Sequence, residues 1–230
     1  MRPRLLDLFC GDGGAAMGYM RAGYDVTGID IERRRHYPGT FCQGDVLDLD
    51  PAELATYDAV HASPPCQAYS VTRHTHNVAH PDLVAPTRTL LEAAATLRPG
   101  LPWVIENVVG APLHNPLTLC ATAFGLSTHD DADGRPLYLR RHRLFESNRL
   151  LLGVPCMCAH ARRSGSKVAG CYGGGSQDRV RAETTGHGGY TPNLATQRRL
   201  MGIDWMPGST LVLAIPPAYT EHLGRQILGA

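Results

Sequence analysis

No apolar run in this sequence is long enough to cross a bilayer, so a helical membrane anchor is not expected. Charge of either sign is not in excess. The formal net charge is +1, and no global basic field announces a nucleic-acid partner; only a local patch remains open. No leader is expected either. Met1-Arg2-Pro3-Arg4 runs straight into Leu5-Leu6-Asp7-Leu8-Phe9, a stretch too short for a signal peptide and interrupted by an acid. The expected location is therefore cytoplasmic. There is no internal repeat, and no C-x-x-C pair. The seven cysteines are odd in number and spread along the chain, so they read as free thiols, metal ligands or a nucleophile rather than a disulfide framework.

What is present suits a globular chain. The 230 residues are 43% hydrophobic, enough for one sizeable core or at most two small domains. Arg4 to Phe9 reads as a buried strand, Asp12 to Arg21 as a helix closed by Gly23, and Tyr24 to Ile29 as a second strand. Strand, glycine turn, helix and strand make one βαβ unit, which implies a parallel sheet with a right-handed crossover. Further strands are expected at Thr40 to Gln43, Asp58 to Ala62, Pro102 to Glu106 and within Leu137 to Glu146. Helices are expected at Asp82 to Leu97, Asn193 to Met201 and Pro216 to Leu228, the last with proline in its first turn. Residues 153–189 are rich in glycine, polar and basic residues, and read as a small insert poor in core. The domains are thus 1–152 with 190–230, and the insert between them.

Chemistry-bearing residues cluster at strand ends. Gly11-Asp12-Gly13-Gly14-Ala15-Ala16 contains G-x-G-x-x-A after a strand and opening a helix, where a backbone must turn sharply beside a ligand. Asp30 ends the next strand, about 20 residues on, where an acid bonds ribose hydroxyls in such units. The pair points to an adenosine-containing cofactor and leaves NAD and S-adenosylmethionine both open. Asp45, with Val46 beside it, could accept an adenine amine; the plainer reading is a helix cap.

Ser63-Pro64-Pro65-Cys66-Gln67 follows another strand. Two prolines fix where the thiol points, at the carboxyl end of the sheet, where open α/β sheets place ligands. A thiol there is a candidate nucleophile; a small buried cysteine is the competing reading. Trp103-Val104-Ile105-Glu106-Asn107 ends a buried strand on an acid, which is costly unless paired or functional. In Arg140-Arg141-His142-Arg143, strand alternation puts Arg141 and Arg143 on one face, able to stabilise a thiolate and lower its pKa; a solvated strand face is the competing reading.

In this order, the segments resemble the C5-cytosine-specific DNA methyltransferases. Asp7-Leu8-Phe9-Cys10-Gly11-Asp12-Gly13-Gly14 is similar to that family's cofactor loop, Pro64-Pro65-Cys66-Gln67 with Ser70 to its nucleophile motif, and Glu106-Asn107-Val108 to its glutamate motif. Arg141-His142-Arg143 is similar to its paired arginines, and Ala214-Ile215-Pro216-Pro217-Ala218-Tyr219 to its final motif. Leu139 departs from the family's usual glutamine, and Ala214-Ile215 lacks its usual asparagine. Residues 153–189 are too few for the family's usual target-recognition domain.

The resemblance implies a Rossmann-like α/β fold of the class I S-adenosyl-L-methionine-dependent methyltransferases, with a doubly wound, mostly parallel sheet. It implies DNA as partner, in a flipped-out or single-stranded state. Cys66, Glu106, Arg141 and Arg143 are the implied catalytic residues. Asp7, Phe9, Cys10, Gly11, Gly13, Gly14, Asp30, Ile31, Asp45, Val46 and Pro65 would hold the cofactor, and Ser63, Pro64, Gln67, Ser70 and Asn107 the base. RNA or a free cytosine nucleotide as acceptor, an inactive nucleic-acid-binding homologue, and an NAD-dependent dehydrogenase are the competing readings. Cys156, Cys158, His160 and Cys171 could hold zinc, but without C-x-x-C spacing no metal is assigned.

Overall fold

The structure, a computed structural model, describes residues 1–67, 69, 81–158, 166–171 and 190–229. A seven-stranded sheet forms its centre. Strand β1 (Arg4–Leu8) is flanked by β2 (Asp25–Asp30) and β4 (Ala59–Ala62), with β3 (Thr40–Gln43) outside β2 and β5 (Trp103–Asn107) outside β4. These five run parallel. Their order reverses at β1, so the crevice for a ligand opens beyond the carboxyl ends of β1 and β4. β9 (His142–Ser147) joins antiparallel to β5, and β6 (Leu117–Cys120) antiparallel to β9. The reversal matters for chemistry. It brings the start of β9 to the same edge as the end of β5, with Asn107 opposite Leu144 and Glu106 opposite Phe145.

Every residue of β1 after Arg4 is buried, as are all of β4 and β5, which is the pattern of strands covered on both faces. On one face Leu6, Leu8, Val60 and Ile105 pack with Leu91 and Ala94 of α3 (Val84–Leu97). On the other, Leu5, Val26 and Ala59 pack with Ala16 and Tyr19 of α1 (Gly14–Ala22). The short α2 (Pro51–Leu54) is opened by Asp50, whose carboxylate accepts from the Ala52 amide, and by Pro51 at its first turn.

The chain's end returns to its beginning. After α4 (Leu194–Met201) and the single turn α5 (Gly208–Leu211), helix α6 (Pro217–Leu228) lies along α1. Gly18 permits the approach: a Cβ there would stand 2.0 Å from Thr220 Oγ1 and 2.1 Å from the Pro217 carbonyl. Thr220 Oγ1 donates to the Ala15 carbonyl at 2.8 Å, and Trp205 Nε1 donates to the Asp12 carbonyl at 2.9 Å.

Residues 167–171, within the stretch read as an insert, are anchored in the core. Strand β10 (Lys167–Ala169) pairs in parallel with β8 (Pro136–Leu139), and β7 (Ser127–His129) completes a second, three-stranded sheet. Ala169 and Cys171 are buried with Leu137, Leu139 and Leu200. Lys167 Nζ reaches buried Asp130 at 2.6 Å. A window average over a Gly-rich stretch conceals one short strand of this kind.

Candidate active site

A cavity of about 290 Å³ opens at the carboxyl edge of the parallel strands. Phe9, Cys10 and Gly11 enter it from the end of β1, Asp30 and Ile31 from β2, Ser63 through Gln67 from β4, and Glu106 from β5. Arg143 comes from the start of β9, and Thr210, Leu213, Ala214 and Ile215 from the segment before α6.

The turn after β1 is bent hard. Phe9 has φ 55, a left-handed value that a bulky residue adopts only under constraint, and Gly11 and Gly13 follow at 51 and 83. The Gly11 amide donates to Asp30 Oδ2 at 3.0 Å, while Asp30 Oδ1 accepts from the Glu32 amide and from Arg34 Nη2. A Cβ on Gly11 would meet no atom within 4 Å, so the backbone there faces open space. A bare glycine turn, apolar Phe9, Ile31, Leu213 and Ile215, and the carboxylates Asp12, Asp30 and Glu32 all line one cavity. This donor set fits an adenosine bearing a positive sulfonium: apolar surface for the adenine, carboxylates for ribose and cation.

Opposite the turn stands the thiol. Cys66 is half-buried on a loop that Asn107 holds: its Nδ2 donates to the Pro64 carbonyl at 2.9 Å, and its Oδ1 accepts from the Val108 amide. Glu106 is buried, and Arg143 Nε meets its Oε1 at 3.1 Å. Burial raises the Glu106 pKa, against the pull of Arg143, Arg141 and the Ser63 hydroxyl. Behind Ser63 runs a buried chain: His61 Nε2 lies 2.9 Å from Ser63 Oγ, and His61 Nδ1 lies 3.1 Å from Tyr19 Oη. Burial pushes His61 down to about 3, so the ring is neutral.

Two expectations about charge are corrected. The Cys66 thiol is pushed up, not down: burial comes first, then the Glu106 carboxylate, and these outweigh Arg143 and Arg141. Arg141, in turn, does not line the cavity. Buried just before β9, it donates from Nη1 to the Cys171 carbonyl at 3.0 Å and from Nη2 to the Val212 carbonyl at 2.7 Å, tying three segments together.

Other predicted residues also stand back from the lining. Asp7 is buried and accepts from the Tyr37 hydroxyl at 3.2 Å. Asp45 caps a short 3-10 turn by accepting from the Leu47 amide, and Val46 is buried in the core. Gly13 packs against Pro38 and Tyr37, and Asn107 is spent on Pro64. Ser70 and His160 lie outside the described residues. Cys156 and Cys158 do not meet Cys171, which is buried with the core. They stand instead with Cys120 and His142, their ligand atoms all within 4.8 Å. Asp12, Glu32, Arg34, Thr210 and Leu213 line the cavity without having been singled out from the sequence. Asp12 and Glu32 neighbour recognised motif residues and were within reach of sequence reasoning. Thr210 and Leu213 arrive only through the return of the chain's end.

Residues 3–112 match the family model of C-5 cytosine-specific DNA methylases. The match covers just under half of the chain. Solved methyltransferases share the fold of the whole chain. Dnmt2 of S. pombe is 14% identical with a TM-score of 0.60, over 100% of this chain and 99% of that one. A protein designated a DNA modification methyltransferase, encoded within an E. coli prophage, is 15% identical with a TM-score of 0.57, over 99% and 100%. The methyltransferase EhMeth of Entamoeba histolytica is 11% identical with a TM-score of 0.55, over 100% and 98%. No curated protein matches the chain. The methylase family takes its methyl group from S-adenosyl-L-methionine, the donor that the glycine turn and carboxylates fit. No helix among the described residues is long and apolar enough to cross a membrane.

Proposed function

We propose that this methylase transfers a methyl group to carbon 5 of cytosine in DNA through a covalent bond between Cys66 and carbon 6. The observation that carries this reading is one shared cavity: the glycine turn and Asp30 line one part of it, and Cys66, Glu106 and Arg143 another. Gly11, Asp12, Asp30 and Ile31 would hold S-adenosyl-L-methionine, whose sulfonium supplies an electrophilic methyl group.

Carbon 5 of cytosine is a weak nucleophile. Sulfur attack at carbon 6 pushes electron density to carbon 5, which then takes the methyl; loss of the carbon 5 proton expels the thiolate and restores the ring. Glu106, its pKa raised by burial, is suited to carry a proton. It would donate toward N3 as the thiolate adds, relieving the ring of negative charge. Protonation of Glu106 also removes the carboxylate that holds the Cys66 thiol up, so nucleophile and acid are coupled. Arg143 would face the O2 edge, its guanidinium held by Glu106. Asn107 holds the Pro64 carbonyl and with it the bearing of the thiol. A base stacked in duplex DNA cannot reach this cavity, so the enzyme would act on a flipped or unpaired cytosine.

The test is transfer of labelled methyl groups to duplex DNA, single-stranded DNA, RNA and dCMP in parallel. Cytosine-containing DNA should be methylated at carbon 5, and Cys66→Ala should abolish transfer. Exclusive methylation of RNA or dCMP would keep the chemistry and reassign the acceptor. Binding of S-adenosyl-L-methionine and DNA without transfer to any acceptor would mark an inactive homologue.

A further inference from the structure

We propose that Cys120, His142, Cys156 and Cys158 form a tetrahedral Cys3His site for a structural zinc ion. Two of the four residues come from the sheet. Cys120 ends β6 and His142 begins β9, and they are direct partners in the antiparallel register, so their side chains leave on one face. The other two come from the segment leading out of β9, where Cys156 and Cys158, two apart, turn their sulfurs toward this pair.

The distances are those of a coordination shell. Cys120 Sγ and Cys158 Sγ are 3.4 Å apart, Cys156 Sγ is 3.4 Å from His142 Nε2, and Cys158 Sγ is 3.9 Å from it. Tetrahedral zinc, with bonds of about 2.3 Å to sulfur and 2.0–2.1 Å to nitrogen, puts sulfurs roughly 3.8 Å apart and sulfur and nitrogen roughly 3.5 Å apart. A disulfide needs sulfurs near 2.05 Å, which none of these pairs approaches. Three soft thiolates and one imidazole select zinc over oxygen-loving cations, and four protein ligands leave no open position, so the role is structural rather than catalytic. Thr122 supplies the outer contact that such sites carry: its hydroxyl lies 3.4, 3.7 and 3.5 Å from the sulfurs of Cys120, Cys156 and Cys158, and accepts from the Met157 amide at 3.2 Å.

The ion would clamp the edge of the large sheet to the chain entering the insert. His142 precedes Arg143, the partner of Glu106, so the clamp also fixes the end of β9 from which Arg143 reaches the cavity. The site stands on its own geometry and does not depend on the acceptor or on catalysis.

The experiment is elemental analysis of the full chain, produced without a histidine tag in zinc-supplemented medium. One zinc per chain is expected. Cys156→Ser with Cys158→Ser should bring it to background, and Cys42→Ser, at an exposed cysteine outside the cluster, should leave it unchanged. His142→Cys should keep the metal where His142→Ala loses it. Thr122→Val should weaken zinc about 10- to 100-fold in competition with a chromophoric chelator. Cobalt loaded in place of zinc should show a thiolate charge-transfer band and intense tetrahedral visible bands. In case a variant fails to fold, the wild-type chain decides alone: mercurial modification of its thiols should release the zinc. A zinc-free wild-type chain, zinc retained in the double variant, or a Cys120–Cys158 disulfide in peptide maps would each overturn the proposal.

Discussion

The Glu106 carboxylate opposes ionisation of the Cys66 thiol, second only to burial. Burial and the Glu106 charge raise the thiol, while Arg143 pulls it down but is shared with that carboxylate. Removing the charge at residue 106 should therefore favour the thiolate. Glu106→Gln should shift the pH profile of Cys66 alkylation by iodoacetamide to lower pH, and Arg143→Ala should shift it to higher pH. Shifts in the reverse directions would refute this ordering of charges. The same Glu106→Gln protein should lose methyl transfer by a factor of about 10²–10⁴, the usual contribution of a positioned proton donor. An enhanced thiolate with a crippled reaction would separate nucleophile formation from ring activation.

Helices α1 and α6 meet over a seam with no room for a side chain at Gly18, since the obstructing atoms include the Pro217 carbonyl. Gly18→Ala should cost about 1–3 kcal/mol, the range for overpacked sites, despite alanine's better helix propensity. Urea unfolding would measure it. The central parallel strands β1, β4 and β5 were legible in the sequence because each is a short, mostly apolar run ended by a glycine, proline or polar turn, and the candidate motifs sit on those ends. The antiparallel entry of β9 was not, since alternation in residues 137–146 gives a strand without a direction. That hidden reversal decides the arginines. Arg143 lies in β9 and meets Glu106, whereas Arg141 stands just before the strand and turns to Cys171 and Val212, although spacing alone gives the two one face. Asp45 shows the same limit: its sequence position suits either an adenine contact or a cap, and its Oδ1 accepts from the Leu47 amide as a cap.

Across the whole molecule, buried groups couple folding to pH. His61 is enclosed and neutral, with its pKa moved from 6.5 to about 3. Its unfolded form binds a proton below 6.5 and its folded form does not, so acidification favours unfolding. Through the window from about pH 6.5 down to about 3, this group alone should reduce stability by about 1.4 kcal/mol per pH unit once the unfolded ring is charged. Denaturant midpoints against pH should show the decline in wild type and a flatter curve in His61→Gln; parallel curves would assign the acid sensitivity elsewhere. The chain's two ends are equally interdependent, because the Trp205 and Thr220 bonds to Asp12 and Ala15 close the glycine turn from 193 and 205 residues away. All of these supports converge on one sulfur at the sheet edge. The most direct measurement is mass spectrometry of the protein after incubation with S-adenosyl-L-methionine and DNA carrying 5-fluorocytosine, whose carbon 5 has no proton to lose. A denaturation-resistant adduct mapped to the Cys66 peptide is predicted, absent in Cys66→Ala. No adduct on any acceptor that is methylated, or an adduct mapped to another residue, would contradict the account.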